Sequence, residues 1–156
     1  MIDHAERAYE LFMSGFNCSQ SVFAAFCDVT GLDFDLALRL SSSFGGGIGR
    51  LREVCGAVSG MLMAAGVLYG YSIPGDYDVK SDHYKLVQEL AGQFKKETGS
   101  IICRELLGLD GASDPVSPVR TKEFFDTRPC PKIIPIAAKI LDDYIKEHPY
   151  ADRSGK

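Results

Sequence analysis

The sequence predicts an all-α protein, a single-domain helical bundle around a buried, glycine-rich central helix. Three observations carry this expectation. No segment of strand length alternates apolar and polar residues. Apolar residues instead recur at three- and four-residue spacing, and Gly or Pro falls where those patterns stop. The chain has 156 residues, 46% hydrophobic and 24% charged, as in an ordinary globular domain. That length predicts one domain, spanning residues 1–148, with a polar tail at 149–156.

The elements follow in order. Residues 2–13 form an amphipathic helix with Ala5, Ala8 and Phe12 on one stripe, ending at Ser14-Gly15. Asn17 is a good N-cap for a second helix to Thr30, with Gly31 as its stop. A short third helix, 35–42, leads into Phe44-Gly45-Gly46-Gly47-Ile48-Gly49-Arg50. So many glycines disfavour regular structure and make positive φ available, so this segment reads as a loop. The long apolar helix then runs from about Glu53 to Tyr69. Gly56, Gly60 and Gly66 would each cost it roughly 1 kcal/mol relative to Ala, which suggests close approach of something to its backbone. Gly56 and Gly60 share a face, where a neighbouring helix or a cofactor could fit.

Beyond the turn at Ile73-Pro74-Gly75, a helical stripe passes through Val79, His83, Leu86, Val87, Leu90 and Phe94 to Thr98, stopped by Gly99. Ser100 caps a short helix through Cys103 to Leu107. Residues 109–118 form a loop, and a last helix starting near Pro131 or Pro135 reaches about Glu147. There is no internal repeat, heptad seam or low-complexity block.

Charge and cysteine content narrow the function. Lys plus Arg number 17 and Asp plus Glu 21, a formal charge of −4, which disfavours nucleic-acid binding because that requires clustered positive charge. The N-terminal residues lack a basic segment followed by an apolar one. The most apolar run, 54–69, is shorter than the roughly 20 residues that cross a bilayer. The expectation is a cytoplasmic protein with no membrane insertion, where thiols stay reduced. Its five cysteines are an odd number, which argues against a disulfide scaffold.

Four of these cysteines fall at expected helix starts. Cys18 follows the Asn17 cap, Cys55 follows the glycine loop, Cys103 follows Ser100, and Cys130 lies between Pro129 and Pro131. A helix N-terminus stabilises a thiolate, the form used in nucleophilic redox chemistry and in binding a metal or cluster. Scattered core cysteines are an equally weighted reading of the same positions. Cys27 lies mid-helix, opposite Cys18, and reads as packing. No CxxC occurs, so the fold itself must assemble any four-thiol site.

Asn17-Cys18-Ser19-Gln20-Ser21-Val22, Phe44-Gly45-Gly46-Gly47-Ile48-Gly49-Arg50, Glu53-Val54-Cys55-Gly56-Ala57-Val58-Ser59-Gly60, Cys103-Arg104-Glu105-Leu106-Leu107-Gly108 and Cys130-Pro131 together resemble the redox-active proteins named for a C…CGAxxG…C…C pattern. The resemblance implies a helical protein in which Cys18, Cys55, Cys103 and Cys130 act together, in redox chemistry or as ligands of an iron–sulfur cluster or other metal. It also implies links to oxidoreductase or transport systems, hence a redox partner protein. Four thiolates would repel one another unless a cation, protons or disulfides intervened. Electron transfer through a cluster is slightly favoured over reversible disulfide exchange, and zinc is less attractive without CxxC knuckles.

A different reading is a small-molecule or anion-binding module, with Gly45, Gly46, Gly47, Gly49, Arg50 and Gly56 as the binding residues. Consecutive glycine N–H groups can form an anion nest, although the segment is neither a P-loop nor GxGxxG. A third is a structural helical subunit whose glycine face packs on a partner or in a homodimer. Elsewhere His83 reads as a satisfied core histidine, and Asp142, Asp143 and Glu147 as a solvated face. Glu53 and Arg50 would tune Cys55 or pair with each other, and Tyr69, Tyr71 and Tyr77 would be half-buried.

Overall fold

The computed structural model describes residues 2–151 and is all-helical, without a sheet among them. Helix α1 (His4–Met13) begins where the Asp3 carboxylate accepts the Glu6 N–H at 3.1 Å. Helix α2 (Cys18–Ala25) has a reciprocal cap: Asn17 Oδ1 accepts the Gln20 N–H at 2.9 Å, and Gln20 Oε1 accepts the Asn17 N–H at 3.0 Å. Two orphan donors are thereby satisfied at once. The expected second helix is broken at Phe26 (φ −96°, ψ 13°), after which one further turn, α3 (Cys27–Thr30), ends at left-handed Gly31. Helix α4 (Phe34–Ser41) leads through a 3₁₀ turn, Ser42–Phe44, into α5 (Gly45–Ile48).

The central helix α6 (Gly56–Tyr69) starts three residues later than expected. Residues 52–55 are tied to 101–104 around a single bridge between Val54 and Ile102: Cys103 N–H donates to Glu53 O at 2.6 Å, Cys55 N–H to Ile101 O at 2.8 Å and Arg104 N–H to Arg52 O at 3.1 Å. Those carbonyls and amides are committed across the bridge, so they cannot belong to the helix. Ala57, Val58, Met61, Ala64 and Ala65 are fully buried, and α6 packs against α2, α7 (Tyr77–Thr98) and α10 (Cys130–Glu147). Its glycines divide by role. A β-carbon on Gly60 would lie 2.6 Å from the Ser19 carbonyl oxygen, so α2 packs directly on this backbone; Gly66 faces open space, contrary to the expectation for all three.

The remaining helices are α8 (Cys103–Leu107) and α9 (Lys122–Thr127). The latter has too short an apolar pattern to stand out in the sequence. Helix α10 starts at Cys130, with Pro131 in its first turn, where an N–H has no helical acceptor, and Pro135 inside it, which removes one helical hydrogen bond. The core is filled by Phe23, Phe26, Phe94, Met61, Leu90, Ile134 and Leu141, all below 2% exposure. Among the described residues no helix is long and apolar enough to cross a membrane. Of the polar tail expected at 149–156, residues 152–156 lie outside the described residues.

Candidate functional site

Cys18, Cys103 and Cys130 are the first residues of α2, α8 and α10, and Cys55 is the N-cap of α6 rather than a first-turn residue. All four line one cavity of about 240 Å³. Cys27, which opens α3 instead of lying mid-helix, is half-buried and outside the cavity.

The approach of the four segments depends on local backbone chemistry. Gly46, Gly47, Ile48, Gly49 and Arg50 all have φ between 55° and 71°, and Arg52 follows at 62°. Five consecutive left-handed residues reverse the chain sharply. Glycine adopts this conformation freely, but for Ile48, Arg50 and Arg52 it is strained, and strain of this kind concentrates at functional sites. The expected positive φ is present, extending beyond the glycines. Gly45 lies against the Asn17 side chain, whose Nδ2 donates to Ser42 O at 3.1 Å. That contact ties the left-handed turn to the cap beside Cys18. The backbone of Gly56 touches Cys18 Sγ, and a β-carbon on Gly47 would lie 2.6 Å from Cys103 Cβ. Side chains at either position would push the sulfurs apart. Gly45, Gly46, Gly49, Arg50 and Gly56 line the cavity; Gly47 does not and serves to seat Cys103.

Desolvation by the surrounding protein pushes the Cys18, Cys55 and Cys130 thiols above their ordinary range, Cys130 to about 12. Neighbouring sulfurs add to this: Cys103 at Cys18, Cys18 and Cys130 at Cys55, and Cys18 and Cys103 at Cys130. Helix-start amides act in the opposite direction, with Gly46 and Ser19 N–H donating to Cys18 and Ala57 and Val58 N–H to Cys55. Desolvation prevails over these donors, which holds the Cys18, Cys55 and Cys130 thiols in the protonated form.

Arg52, and Arg120 and Arg128, which sequence reasoning passed over, complete the walls. Arg52, 4% exposed, donates from Nη1 to Cys103 Sγ at 3.6 Å and from Nε to Ser113 Oγ at 3.0 Å. Arg120 donates to the Phe12 and Phe16 carbonyls at 2.6 and 2.8 Å. Its guanidinium lies 4.3 Å from the Phe12 ring centroid, and burial lowers its pKa. Arg128 lies over Phe124. Nothing in the spacing of residues 119–128 marks these two arginines, because only folding of α9 between α1 and α10 brings them to the thiols. The expected pairing of Glu53 with Arg50 does not form: Glu53 pairs with Arg104 at 3.1 Å, and Arg50 Nε donates to Asp114 O at 2.6 Å.

Other expectations are corrected as well. Asp142 is buried and bonded to His4, so it is no part of a solvated face. His83 Nδ1 is buried without a hydrogen-bond partner among the described residues, so this histidine is unsatisfied. Tyr77 is exposed at the start of α7, while Tyr69 donates to His148 O at 2.8 Å.

A family model described as "Putative redox-active protein (C_GCAxxG_C_C)" matches residues 16–144. The chain belongs to this family. All four cavity cysteines lie within the match. Ala57 and Gly60 keep the AxxG spacing of the family's name, although this chain reads Cys55-Gly56 where the name has Gly then Cys. No curated protein and no solved structure matches the chain. Family membership makes metal or thiol chemistry the question for the cavity. Among the described residues no group of three His, Cys, Asp or Glu side chains is arranged to hold a metal ion. The four sulfurs share a cavity without forming such a cage.

Proposed function

We propose that the protein is a thiol redox protein in which Cys18, Cys55, Cys103 and Cys130 form a single centre cycling between dithiol and disulfide. The observation that supports this most directly is the convergence of four cysteines, from four separate helix starts, on one cavity that excludes Cys27. Forming one disulfide removes two thiol protons and two electrons, which an external disulfide accepts by exchange. The centre can therefore deliver two electrons, or four if both pairs close.

Helix-start amides suit this chemistry because they stabilise the attacking thiolate only once it forms. Desolvation keeps Cys18, Cys55 and Cys130 protonated at rest, so the centre reacts with a partner inside the cavity and resists bulk oxidants. A redox partner supplying the external disulfide is consistent with this scheme.

Counting thiols in denatured protein before and after mild oxidation with diamide tests the reading. The expected result is a loss of two or four of the five thiols, unchanged in extent by Cys27→Ala. A count that stays at five overturns it. Stoichiometric iron and acid-labile sulfide in anaerobically prepared protein would replace it with a cluster centre.

A further inference from the structure

The cavity that gathers the thiols is also a cationic pocket in an acidic chain. Arg50, Arg52, Arg120 and Arg128 line it, and no Asp or Glu does, although the protein carries a formal charge of −4. Among the described residues none of the four forms an ion pair, whereas Arg7, Arg39 and Arg104, which are not in the lining, each do. Arg52 is 4% exposed, with only the Ser113 hydroxyl and the Cys103 sulfur as side-chain acceptors. A guanidinium taken from water without a counter-charge is strongly unfavourable, and desolvation lowers the Arg120 pKa accordingly. Cys18, Cys55 and Cys130 do not supply that charge at rest, because desolvation keeps them protonated.

The rest of the lining restricts what does. Phe12, Leu106, Phe124, Ile133 and Ile134 form apolar wall. The volume, about 240 Å³, lies below the roughly 300–1,000 Å³ of common ligand pockets, so the occupant is small. Arg120 has both Nη atoms committed to backbone carbonyls and contributes fixed charge. Arg50 uses only Nε and Arg128 only its face against Phe124, which leaves their Nη forks for an acid group, the geometry a carboxylate fits in bidentate fashion.

Resting on the thiol redox reading above, we infer that the substrate of this centre is a small organic disulfide bearing an acid group, held by the cavity arginines with its apolar portion against the Phe12–Phe124–Ile133 wall. The exchange balances: two cavity thiols and one substrate disulfide give one protein disulfide and two substrate thiols. One S–S bond breaks and one forms, the protein is oxidised, and the two thiol protons pass to the released sulfurs.

Two probes of similar size separate charge from reactivity: dithiodiglycolate, a dianion, and bis(2-hydroxyethyl) disulfide, which is neutral. The rate at which each oxidises the reduced protein is divided by its rate with a small thiol in solution. The expected result is a preference of about tenfold or more for the dianion, as charged hydrogen bonds would give. Arg52→Gln should lower the ratio of the dianion rate to the neutral rate, and Arg128→Gln, whose side chain makes no backbone bond among the described residues, should lower that ratio even if Arg52→Gln fails to fold. No preference in the wild type overturns the inference but leaves the redox reading intact. Equal slowing of both probes in the variants also overturns it, since the arginines would then serve only the thiols. Failure of both probes to consume thiols overturns the redox reading itself, and the inference with it.

Discussion

His4 and Arg52 are both buried cationic side chains, and the protein treats them in opposite ways. His4 is fully buried, with Nδ1 against Asp142 Oδ1 at 2.5 Å, Nε2 against Asp28 Oδ1 at 2.8 Å and its ring stacked on Phe26. Two carboxylates face the two nitrogens of one imidazolium, and the cluster joins α1, α3 and α10. Arg52 and its neighbours meet thiols, carbonyls and aromatic faces instead, with no carboxylate among the described residues. The first arrangement meets a buried cation with anions from the same chain, which stabilises the fold; the second leaves its cations without that compensation.

The widest gap between the two regions should appear in thiol reactivity. A rise at Cys130 from the ordinary 9.0 to about 12 lowers its thiolate fraction about a thousandfold. Iodoacetamide labelling of the reduced native protein, resolved by peptide mass, should be slower at Cys130 than in the unfolded chain by that order. Equal rates would show that the cavity thiols are not desolvated.

The His4 cluster should dominate stability. Asp142→Ala leaves a buried imidazolium with only Asp28, which is 36% exposed, and should cost roughly 3–5 kcal/mol in denaturant unfolding. The same cluster carries a pH signature. Burial alone would lower the His4 pKa, but hydrogen bonds and charges from Asp142 and Asp28 raise it above 6.5. Its stabilisation is therefore full below about pH 6.5 and lost as pH climbs through the folded value. Unfolding free energy should decline over that alkaline window, and His4→Gln should remove this part of the decline.

Two glycines of α6 sharpen the contrast on a smaller scale. Gly56→Ala drives a methyl into Cys18 Sγ and to 2.9 Å from Phe44 O, costing roughly 1–3 kcal/mol as overpacking and altering the cavity thiols. Gly66→Ala meets nothing within 4 Å and should stabilise the protein by up to about 1 kcal/mol. A melting series that ranks the two in the other order would contradict the packing described for α2 on α6.

Much of the architecture is legible from local rules. Asp3, Asn17 and Asp76 cap where an N-cap is wanted, and Gly31, Gly99 and Gly108 stop helices in the left-handed conformation. Cys27 is set apart by its spacing from Cys18, which points it to the opposite side, although it opens α3 rather than lying mid-helix. What local rules misplace are features decided across the chain. The start of α6 moves because residues 52–55 pair with 101–104, partners separated by about fifty positions. Asp142 reads as solvent-facing because its neighbour Asp143 is; only the docking of α1 buries it against His4. Arg120 and Arg128 carry no periodic signal at all.

The sequence by itself determined the helical class, most of the helices, the Asn17 cap, the glycine stops, the capacity for positive φ at 46–49 and the singling out of Cys18, Cys55, Cys103 and Cys130. These depend on propensity, capping and spacing, which act within a few residues. The tertiary structure alone decided that those four sulfurs share a cavity, that arginines with no acid partner among the described residues surround them, and that His4 receives two carboxylates. Each of those outcomes is a balance of charge and desolvation between segments distant in sequence, and that balance exists only once the segments have met.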